Sequence, residues 1–592
     1  MQSYYPDTDN LLFDTNALLV LKERYLLTDP DTGVQETPRE MLERVAKAIA
    51  KGNKYYENAF FDMMANLDFL PNSPTLMNAG RPGKQAQLAA CYVLDVPDSM
   101  EGIYDALKYQ ALIHKSGGGT GFNFSKLRPK GAPVASTNGV ASGPLSFMEL
   151  FDVSTEKVMQ GGMRRGANMG ILNCDHPDIL EFIEAKDRDN GKLTNFNISV
   201  GLTDDFMTSV ADGQKQLPTL EDVEQHFKRL EVWEAIVNSA WRTGDPGVIY
   251  LDAINRANPT PQLGRLEATN PCGETPLYPN EACNLGSVNL SNFVKRHDFN
   301  KSHVIDYRRL SEVVTMAVRF LDNVIDVNAY PLPEIRDAVR KTRKIGLGVM
   351  GWADMLFKLG VRYGSDESFA LARAVMAFID EAAKRASVDA AFYYGPCGPD
   401  VLYQGCYMRN TSVTCIAPTG TISLLAGCSS GIEPHFALSY SRICFDKDED
   451  SHGDSQRQVL TITNQEYEKA LNDPSDTRIA DGVFVTAHEI PPKQHIAMQA
   501  VFQKHVDLAV SKTVNLPNSA TKRDVADAYI TAWRSGCKGT TIYRDGCRNA
   551  QVLYSSQTPS DSLCPQCSAK AVIHQDGCKK CTVCGWSPCA VS

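Results

Sequence analysis

The chain has 592 residues, of which 43% are hydrophobic and 22% charged, an ordinary composition for a globular protein. Its formal net charge of −10 argues against a protein that grips a polynucleotide, because such proteins carry a basic excess. No stretch approaches the roughly 20 apolar residues of a membrane span, and the polar start lacks the layout of a signal peptide. We therefore expect a cytoplasmic protein with no membrane partner, either of two to four domains or with one large core.

The first predicted elements in chain order are helices, over residues 16–66. The run 38–50 follows Thr37, a good N-cap, and places Pro38 at the first helical position. From residue 69 to residue 545, short apolar runs alternate with amphipathic helices, which predicts an α/β fold with a mainly parallel sheet or barrel. The predicted strands include 93–94, 170–172, 196–200 and 248–251, and the predicted helices include 101–115, 177–186, 230–241, 307–327 and 365–391.

The C-terminal region is separated from the rest by composition. Residues 555–562 are small, polar and interrupted by proline, which is typical of a linker. The chain is therefore divided into an N-terminal helical segment (1–66), an α/β barrel (67–548), a linker (549–563) and a cysteine-rich tail (564–592).

The tail holds six of the seventeen cysteines, at positions 564, 567, 578, 581, 584 and 589. Two CxxC pairs can supply four thiolates to one Zn²⁺, so the predicted ligands are Cys564, Cys567, Cys578 and Cys581. Another partition uses Cys584 in place of Cys578. Under the first partition Cys584 and Cys589 are left as a dithiol that can exchange with a disulfide elsewhere. The alternative is a plain zinc ribbon that mediates contacts.

The most informative segment is Asn270-Pro271-Cys272-Gly273-Glu274. It places a thiol, a carboxylate and a primary amide close together on a loop stiffened by proline. A thiol beside a carboxylate suits nucleophilic catalysis, or hydrogen-atom abstraction next to a proton acceptor. The plainer alternative is a buried structural cysteine in a turn.

Several turns are suited to phosphate binding. Residues 418–423 combine three hydroxyls with a glycine, residues 72–75 are similar, and residues 115–121 contain three consecutive glycines that permit close backbone approach. Arg164 and Arg165 add two guanidinium groups on a glycine-rich loop. None of these is a Walker A or dinucleotide fingerprint, so neither NTP hydrolysis nor hydride transfer is supported. Ordinary N-caps and surface turns remain the alternative.

Together these segments resemble the catalytic subunit of ribonucleotide reductase, most closely the adenosylcobalamin-dependent class (class II) of the dimeric type. The resemblance covers nearly the whole chain and rests on residues 69–80, 90–94, 270–274, 282–286, 417–421 and 431–434 and on the cysteine tail. It implies a ten-stranded α/β barrel of two parallel five-stranded halves, with the catalytic loop inside, an N-terminal helical segment and a zinc-ribbon-like tail.

The resemblance also implies catalytic roles. Cys272 would hold a thiyl radical that removes the ribose 3′-hydrogen, Glu274 would take the 3′-hydroxyl proton, and Asn270 would bind the ribose. Cys91 and Cys283 would be the reducing pair and end as a disulfide. Cys584 and Cys589 would form the shuttle that reduces this disulfide again, in exchange with thioredoxin or glutaredoxin.

Binding sites follow from the same resemblance. The substrate, expected to be a ribonucleoside diphosphate, would contact Ser73, Ala90, Thr419, Gly420, Thr421, Ile422 and Ser423. Deoxynucleotide or ATP specificity effectors would bind at Asp98, Ser99 and Arg164 of a homodimer, with residues 186–194 as the specificity loop. Only about 65 residues precede the barrel segment, so we expect no N-terminal ATP-sensing domain.

The radical source is predicted from the resemblance together with one position at which this sequence departs from the tyrosine pair of other reductases. Reductases that receive the radical from a separate metal subunit relay it through two adjacent tyrosines, whereas here Tyr543 follows Ile542. This favours adenosylcobalamin bound beside Cys272. The alternatives are a subunit-dependent (class I) enzyme and, from a different class of protein, a zinc-ribbon interaction protein that merely binds nucleotides.

Overall fold

The computed structural model describes residues 11–82, 87–134, 138–160, 164–186, 193–212, 219–297, 302–445, 457–547, 572–575 and 578–581. The α-helices are α1 (Thr15–Arg24), α2 (Pro38–Ile49), α3 (Lys54–Ala65), α4 (Ser73–Asn78), α5 (Met100–Lys115), α6 (Pro144–Lys157), α7 (Ile179–Ile183), α8 (Asp204–Ala211), α9 (Leu220–Thr243), α10 (Leu251–Arg256), α11 (Tyr307–Val327), α12 (Pro333–Thr342), α13 (Trp352–Leu359), α14 (Asp366–Tyr394), α15 (Gly420–Leu425), α16 (Gln465–Asn472), α17 (Pro492–Gln503) and α18 (Lys522–Arg534). Short 3₁₀ helices span Pro261–Leu263 and Leu290–Phe293.

The strands are β1 (Phe69–Pro71), β2 (Cys91–Val93), β3 (Gly119–Asn123), β4 (Pro133–Val134), β5 (Gly139–Val140), β6 (Met159–Gln160), β7 (Arg164–Arg165), β8 (Asn168–Asn173), β9 (Phe196–Leu202), β10 (Gly247–Tyr250), β11 (Ala268–Thr269), β12 (Pro276–Leu277), β13 (Glu281–Asn289), β14 (Val294–Arg296), β15 (His303–Ile305), β16 (Ile345–Met350), β17 (Leu402–Tyr403), β18 (Cys406–Tyr407), β19 (Ser439–Phe445), β20 (Arg457–Thr463), β21 (Thr513–Leu516), β22 (Gly539–Arg544), β23 (Val572–Gln575) and β24 (Cys578–Cys581).

The predicted N-terminal helices are confirmed. Thr37 and Glu40 form a reciprocal capping box at the start of α2, which fixes that end of the helix at Pro38. The helix then buries Met41, Leu42 and three further apolar residues on one face. The prediction of a helix over residues 177–186 is wrong in length, since α7 is limited to Ile179–Ile183. Asp178 does not cap this helix, because its carboxylate accepts the backbone N–H of Lys130 instead.

A ten-stranded mixed sheet forms the centre of the fold. Strands β2, β3, β8, β9 and β10 are neighbours and run parallel. At one edge β2 pairs antiparallel with β13, which is parallel to β16, and at the other edge β10 pairs antiparallel with β22, which is parallel to β21.

Backbone hydrogen bonds continue beyond β16. The N–H of Cys415 donates to the carbonyl of Leu347 over 3.0 Å, and the N–H of Ile416 donates to the carbonyl of Ala509 over 3.1 Å. Residues 509–511 lead into β21 two residues later. The hydrogen bonding therefore passes from β13 through β16 and residues 414–416 towards β21.

The two faces of this sheet bury different sets of side chains. Tyr92, Leu172, Val248 and Tyr250 join the large apolar core beneath the helices. Their sequence neighbours form a separate buried group, as the two-residue period of a strand requires. This inner cluster includes Cys91, Val93, Met169, Ile171, Ile249, Ala268, Leu277, Cys283, Leu285, Cys415, Ala417 and Leu508. Its members come from both edges of the sheet, so they enclose a common interior.

Part of the tail is described. Strands β23 and β24 pair antiparallel, with Cys578 opposite Gln575 and Cys581 opposite Val572. The other tail cysteines of the sequence predictions, Cys564, Cys567, Cys584 and Cys589, lie outside the described residues, so the zinc set stays a prediction. Within the parts of the chain that the structure covers, no helix is long and apolar enough to cross a membrane.

Candidate active site

The segment that carries Cys272 is a hairpin loop inside the barrel interior. Strands β11 and β12 pair antiparallel around residues 270–275, and Ala268 and Leu277 belong to the inner cluster. The loop is tied at its base, where the N–H of Thr275 donates to Asn270 Oδ1 over 2.9 Å. The N–H of Gly273 also donates to the carbonyl of Asn270 over 3.0 Å, which closes a turn at Cys272.

Glycines of β3 allow this hairpin to lie against the sheet. A Cβ added at Gly121 would lie 1.7 Å from the carbonyl oxygen of Thr269, and one at Gly119 would lie 2.8 Å from Pro271 Cγ. The predicted close approach at the glycine run is therefore confirmed. On the other side of the loop, Asn197 Nδ2 donates to the carbonyl of Pro271 over 2.8 Å.

Cys91 and Cys283 face each other across the antiparallel strands β2 and β13. Residues directly opposite in such a pair have Cα atoms about 4.5–5.5 Å apart, which is within the range that a disulfide spans. Both side chains are buried and both are reduced. The two thiols predicted to act as a pair are thus placed where they can be oxidised together.

The hairpin loop contacts one of these thiols through two side chains. Asn270 Nδ2 donates to Cys91 Sγ over 3.1 Å, and Cys91 Sγ lies 3.9 Å from Glu274 Oε1. Asn270 and Glu274 are buried, whereas Cys272 between them is exposed. The loop therefore presents the Cys272 thiol outward while its carboxylate and amide are directed at Cys91.

Burial sets the protonation of these groups. Desolvation raises the pKa of Glu274 to about 7, although the neighbouring Asn270 amide acts in the opposite direction. Glu274 Oε2 is buried and has no hydrogen-bond partner among the described residues. Burial, followed by the neighbouring Glu274 charge, raises the pKa of the Cys91 thiol, and burial also raises that of Cys283. At neutral pH the site therefore combines two protonated thiols with a carboxyl group close to its titration midpoint.

The predicted phosphate turn follows residues 414–416. Thr419 adopts a left-handed conformation with φ of 56°, and α15 begins at the next residue. Thr419 Oγ1 accepts the N–H of Gly431 over 2.7 Å, which closes the turn. The first-turn amides of Gly420, Thr421 and Ile422 have no acceptor within the helix. The hydroxyl of Ser423 instead lies 2.9 Å from that of Ser430.

Ser73 and Ala90 lie near the thiol pair. Ser73 begins α4, and the N–H of the preceding Asn72 donates over 2.8 Å to the carbonyl of Leu285, two residues beyond Cys283. Ala90 directly precedes Cys91, and its carbonyl accepts the N–H of Gly119 over 2.8 Å. Ser73 and Ala90 therefore lie beside the strands that carry Cys91 and Cys283.

Two sequence profiles match the chain: "Ribonucleotide reductase, barrel domain" over residues 89–399 and 400–543, and "Ribonucleotide reductase, all-alpha domain" over residues 11–84. The chain is 45% identical to the vitamin B12-dependent ribonucleoside-diphosphate reductase of Thermoplasma acidophilum, over 92% of this chain and 80% of that protein. It is 44% identical to the protein of the same name from Mycobacterium tuberculosis, over 94% of this chain and 82% of that one. The chain belongs to the ribonucleotide reductase family.

The fold of a solved reductase agrees. The Actinobacillus ureae class Id ribonucleotide reductase alpha subunit superposes with a TM-score of 0.72, covering 90% of this chain and 97% of that chain at 23% sequence identity. At that identity the similarity concerns the fold, a barrel-type α/β architecture around a large mixed sheet.

The predicted effector residues of this reductase lie apart from the inner cluster. Asp98 accepts Arg128 Nε over 2.8 Å, and Ser99 caps α5 by accepting the N–H of Gly102 over 3.1 Å. Arg164 lies in β7, which pairs with β6, and β6 contacts α5. Residues 187–192 of the predicted specificity loop lie outside the described residues.

Two residues near the site were missed by the sequence analysis. Cys415 is fully buried in the inner cluster with Cys91 and Cys283, so the interior contains a third buried thiol. Tyr25, at the end of α1, places its hydroxyl 2.7 Å from Ser73 Oγ. Cys415 precedes the phosphate turn by four residues, a weak signal of its placement, whereas nothing in the sequence singles out Tyr25.

Proposed function

We propose that this reductase converts ribonucleoside diphosphates to 2′-deoxyribonucleoside diphosphates at the Cys272 hairpin, with vitamin B12-derived radical chemistry. The observation that carries the proposal is the cross-strand pair Cys91 and Cys283 beside the buried Glu274 and Asn270. The names of the relatives from Thermoplasma acidophilum and Mycobacterium tuberculosis support the substrate class and the vitamin dependence.

The proposed chemistry begins at Cys272, whose exposed sulfur faces the ribose as a thiyl radical. It removes the hydrogen atom from C3′, a bond that acid–base chemistry alone does not break. Glu274 then accepts the proton of the 3′-hydroxyl, a role that suits a carboxyl group with a pKa of about 7. Asn270 orients the ribose and holds the base of the loop through Thr275.

The reduction itself is assigned to Cys91 and Cys283. The 2′-hydroxyl leaves as water, and the two thiols together supply two electrons and two protons. Their sulfurs join as a disulfide, Glu274 returns its proton to the 3′-oxygen, and Cys272 returns the hydrogen atom to C3′. One ribonucleotide and two thiols thus give one deoxyribonucleotide, one disulfide and one water. The buried, protonated state of both thiols fits this donor role.

The radical source proposed is adenosylcobalamin. When bound, this cofactor supplies an organic radical by homolysis of its cobalt–carbon bond. The residues present fit a source placed directly beside Cys272, because that thiol is exposed while its neighbours Asn270 and Glu274 are buried. Ile542, where a two-tyrosine relay would continue, is buried in the apolar core. The subunit-dependent alternative is not favoured.

Substrate phosphates are assigned to the turn at residues 419–423 and to Ser73. A left-handed Thr419 followed by a helix start presents successive amides in one direction, which suits an anion. A Cβ built on Gly420 meets no atom within 4 Å, so this turn is open to an approaching phosphate. Ala90 would line the pocket between Ser73 and the thiol pair.

The proposed architecture has four segments, of which the barrel is the largest. The barrel consists of two five-stranded parallel halves, the first containing β2, β3, β8, β9 and β10 and the second containing β13, β16, residues 414–416, β21 and β22. The helical segment spans residues 1–66, the barrel 67–548 and the linker 549–563. The tail, 564–592, holds one Zn²⁺ through Cys564, Cys567, Cys578 and Cys581.

Regeneration of the active site is assigned to the tail. Cys584 and Cys589 would attack the Cys91–Cys283 disulfide, and thioredoxin or glutaredoxin would then reduce the tail. The location proposed is the cytoplasm, where such reductants keep thiols reduced.

The proposed homodimer uses the face formed by α5 and α6. These two helices pack together and leave Met100, Tyr104, Leu150 and Val153 exposed. Exposed apolar side chains on adjoining helices are typical of an association surface. Asp98 and Ser99 lie at the start of α5, so an effector held there, with Arg164, would lie beside the second copy.

The experiment that tests the proposed function is anaerobic incubation of the purified chain with a ribonucleoside diphosphate, dithiothreitol and adenosylcobalamin. The expected product is the deoxyribonucleotide, formed only when the cofactor is present. Product that instead requires an added metal-containing subunit would support the subunit-dependent alternative, and no product under either condition would refute reductase activity.

A further inference from the structure

Tyr25 connects the N-terminal helices to the proposed phosphate site. The residue follows α1, is only 3% exposed, and places its hydroxyl 2.7 Å from Ser73 Oγ. The two residues are 48 positions apart, so this is a tertiary contact between separate elements. Two hydroxyls at this distance form a well-made hydrogen bond, buried on the Tyr25 side and half-buried at Ser73.

The helix that precedes Tyr25 also reaches the second part of the proposed site. Helix α1 contacts α15, which begins at Gly420 in the proposed phosphate turn. Ala17, Val20 and Leu21 are the buried residues of α1. Helix α1 is therefore anchored in the apolar core and contacts the helix of the turn, while Tyr25, the residue that follows it, contacts Ser73.

We infer that Tyr25 is a positioning residue for the substrate diphosphate, which orients the Ser73 hydroxyl so that its proton points at a phosphate oxygen. The inference rests on the proposed function, in which Ser73 binds that phosphate. It assigns the N-terminal helical segment a part in substrate binding.

The direction of this hydrogen bond decides whether the Ser73 proton is free to meet a ligand. A serine hydroxyl has one proton to donate and two lone pairs to accept with. A phenol is a stronger acid than an alcohol, so the favoured arrangement has Tyr25 donating and Ser73 accepting. The Ser73 hydroxyl then keeps its own proton to donate to a ligand. A charged phosphate oxygen is the strongest acceptor that this proton can meet.

Substitution of Tyr25 by Phe removes the hydroxyl and keeps the ring. The Ser73 hydroxyl then rotates without a fixed donor, and we expect diphosphate binding to weaken about fivefold, the scale of one lost neutral hydrogen bond. Affinity for the corresponding nucleoside, which has no phosphate, is expected to stay unchanged. Turnover at saturating diphosphate should stay within twofold, so the effect appears in KM.

The measurement is equilibrium binding of a ribonucleoside diphosphate and of its nucleoside to the full chain, with steady-state kinetics alongside. Tyr529→Phe is the matched control, since its buried hydroxyl donates to the Pro246 carbonyl over 3.0 Å in another part of the fold. The control should bind both compounds like the parent chain. A Tyr25→Phe variant that weakens diphosphate and nucleoside equally, or that weakens neither, overturns the inference.

A double-mutant cycle separates this inference from the function on which it rests. Ser73→Ala should weaken diphosphate binding, and adding Tyr25→Phe to it should have no further effect, because the two hydroxyls act as one unit. If Ser73→Ala leaves diphosphate affinity intact, the proposed phosphate role of Ser73 is wrong and the inference fails with it. If Ser73→Ala weakens binding but Tyr25→Phe does not, only the inference fails.

Discussion

Cys91 and Cys283 are cross-strand partners on β2 and β13, and both side chains lie in the inner cluster. The pairing crosses the antiparallel junction between the parallel strands β2, β3, β8, β9 and β10 and the strands β13 and β16. The two thiols are therefore held by the backbone ladder, and they need no loop movement to meet.

A single turnover without external reductant tests this geometry. The chain with Cys584→Ser and Cys589→Ser should form at most one deoxyribonucleotide per site and stop, because only the Cys91–Cys283 pair can then supply electrons. Mass spectrometry of the stopped protein should show a Cys91–Cys283 disulfide. A disulfide between Cys415 and either residue would contradict the assignment of the pair.

The pH dependence of turnover should follow Glu274. A general base must be deprotonated, so kcat with dithiothreitol should rise about tenfold per pH unit below 7 and level off above it. Glu274→Gln should lose this dependence together with at least a hundredfold of the rate. A parent profile that is flat from pH 6 to pH 8 would count against Glu274 as the base.

The pH dependence of the unfolding free energy should reveal the raised pKa of Glu274 without an activity assay. Burial raises its pKa from an ordinary value of 4.5 to about 7, so the folded chain holds a proton that the unfolded chain releases between these values. The stability contributed by this group is complete below pH 4.5 and is lost as the pH rises through 7. Relative to Glu274→Gln, the parent should therefore lose about 3 kcal/mol of unfolding free energy between pH 4 and pH 8. Denaturant titrations at both pH values measure the difference.

Gly121 should be essential for the position of the hairpin. A methyl group there would overlap the carbonyl of Thr269, so Gly121→Ala should displace the Cys272 loop and reduce turnover at least a hundredfold. Gly539→Ala on β22 is the control, because its added Cβ would lie 3.2 Å from the carbonyl oxygen of Val248, a tight contact that a shift of a few tenths of an ångström relieves. If the two variants lose turnover equally and only slightly, the close approach at Gly121 is not needed for activity.

Local sequence signals identify the residues of the candidate site more readily than the contacts that position them. The loop around Cys272 and several parallel strands follow from local motifs and periodicity, whereas the pairing of Cys91 with Cys283 was implied by the family resemblance. The bond from Asn270 to Cys91 could not be predicted, since it joins residues 179 positions apart. Local signals also overestimated the length of α7. The carboxylate of Asp178, which precedes the helix, accepts a hydrogen bond from a distant backbone amide and does not cap the helix.

Removal of residues 584–592 tests the proposed shuttle. Turnover with thioredoxin should stop, because a protein reductant cannot reach a disulfide that is buried in the barrel, whereas dithiothreitol should restore it. The untruncated chain is the reference for both reductants. Loss of activity with dithiothreitol as well would show that the tail has a role other than electron transfer.

The central claim is that the Cys272 sulfur breaks the ribose 3′ carbon–hydrogen bond. The most direct test compares the parent chain with Cys272→Ser in anaerobic assays with adenosylcobalamin and dithiothreitol, using a 3′-deuterated and an unlabelled ribonucleoside diphosphate. The parent should show slower turnover of the deuterated substrate, and Cys272→Ser should bind the substrate normally but form no deoxyribonucleotide. Deoxyribonucleotide formation by Cys272→Ser would contradict the account.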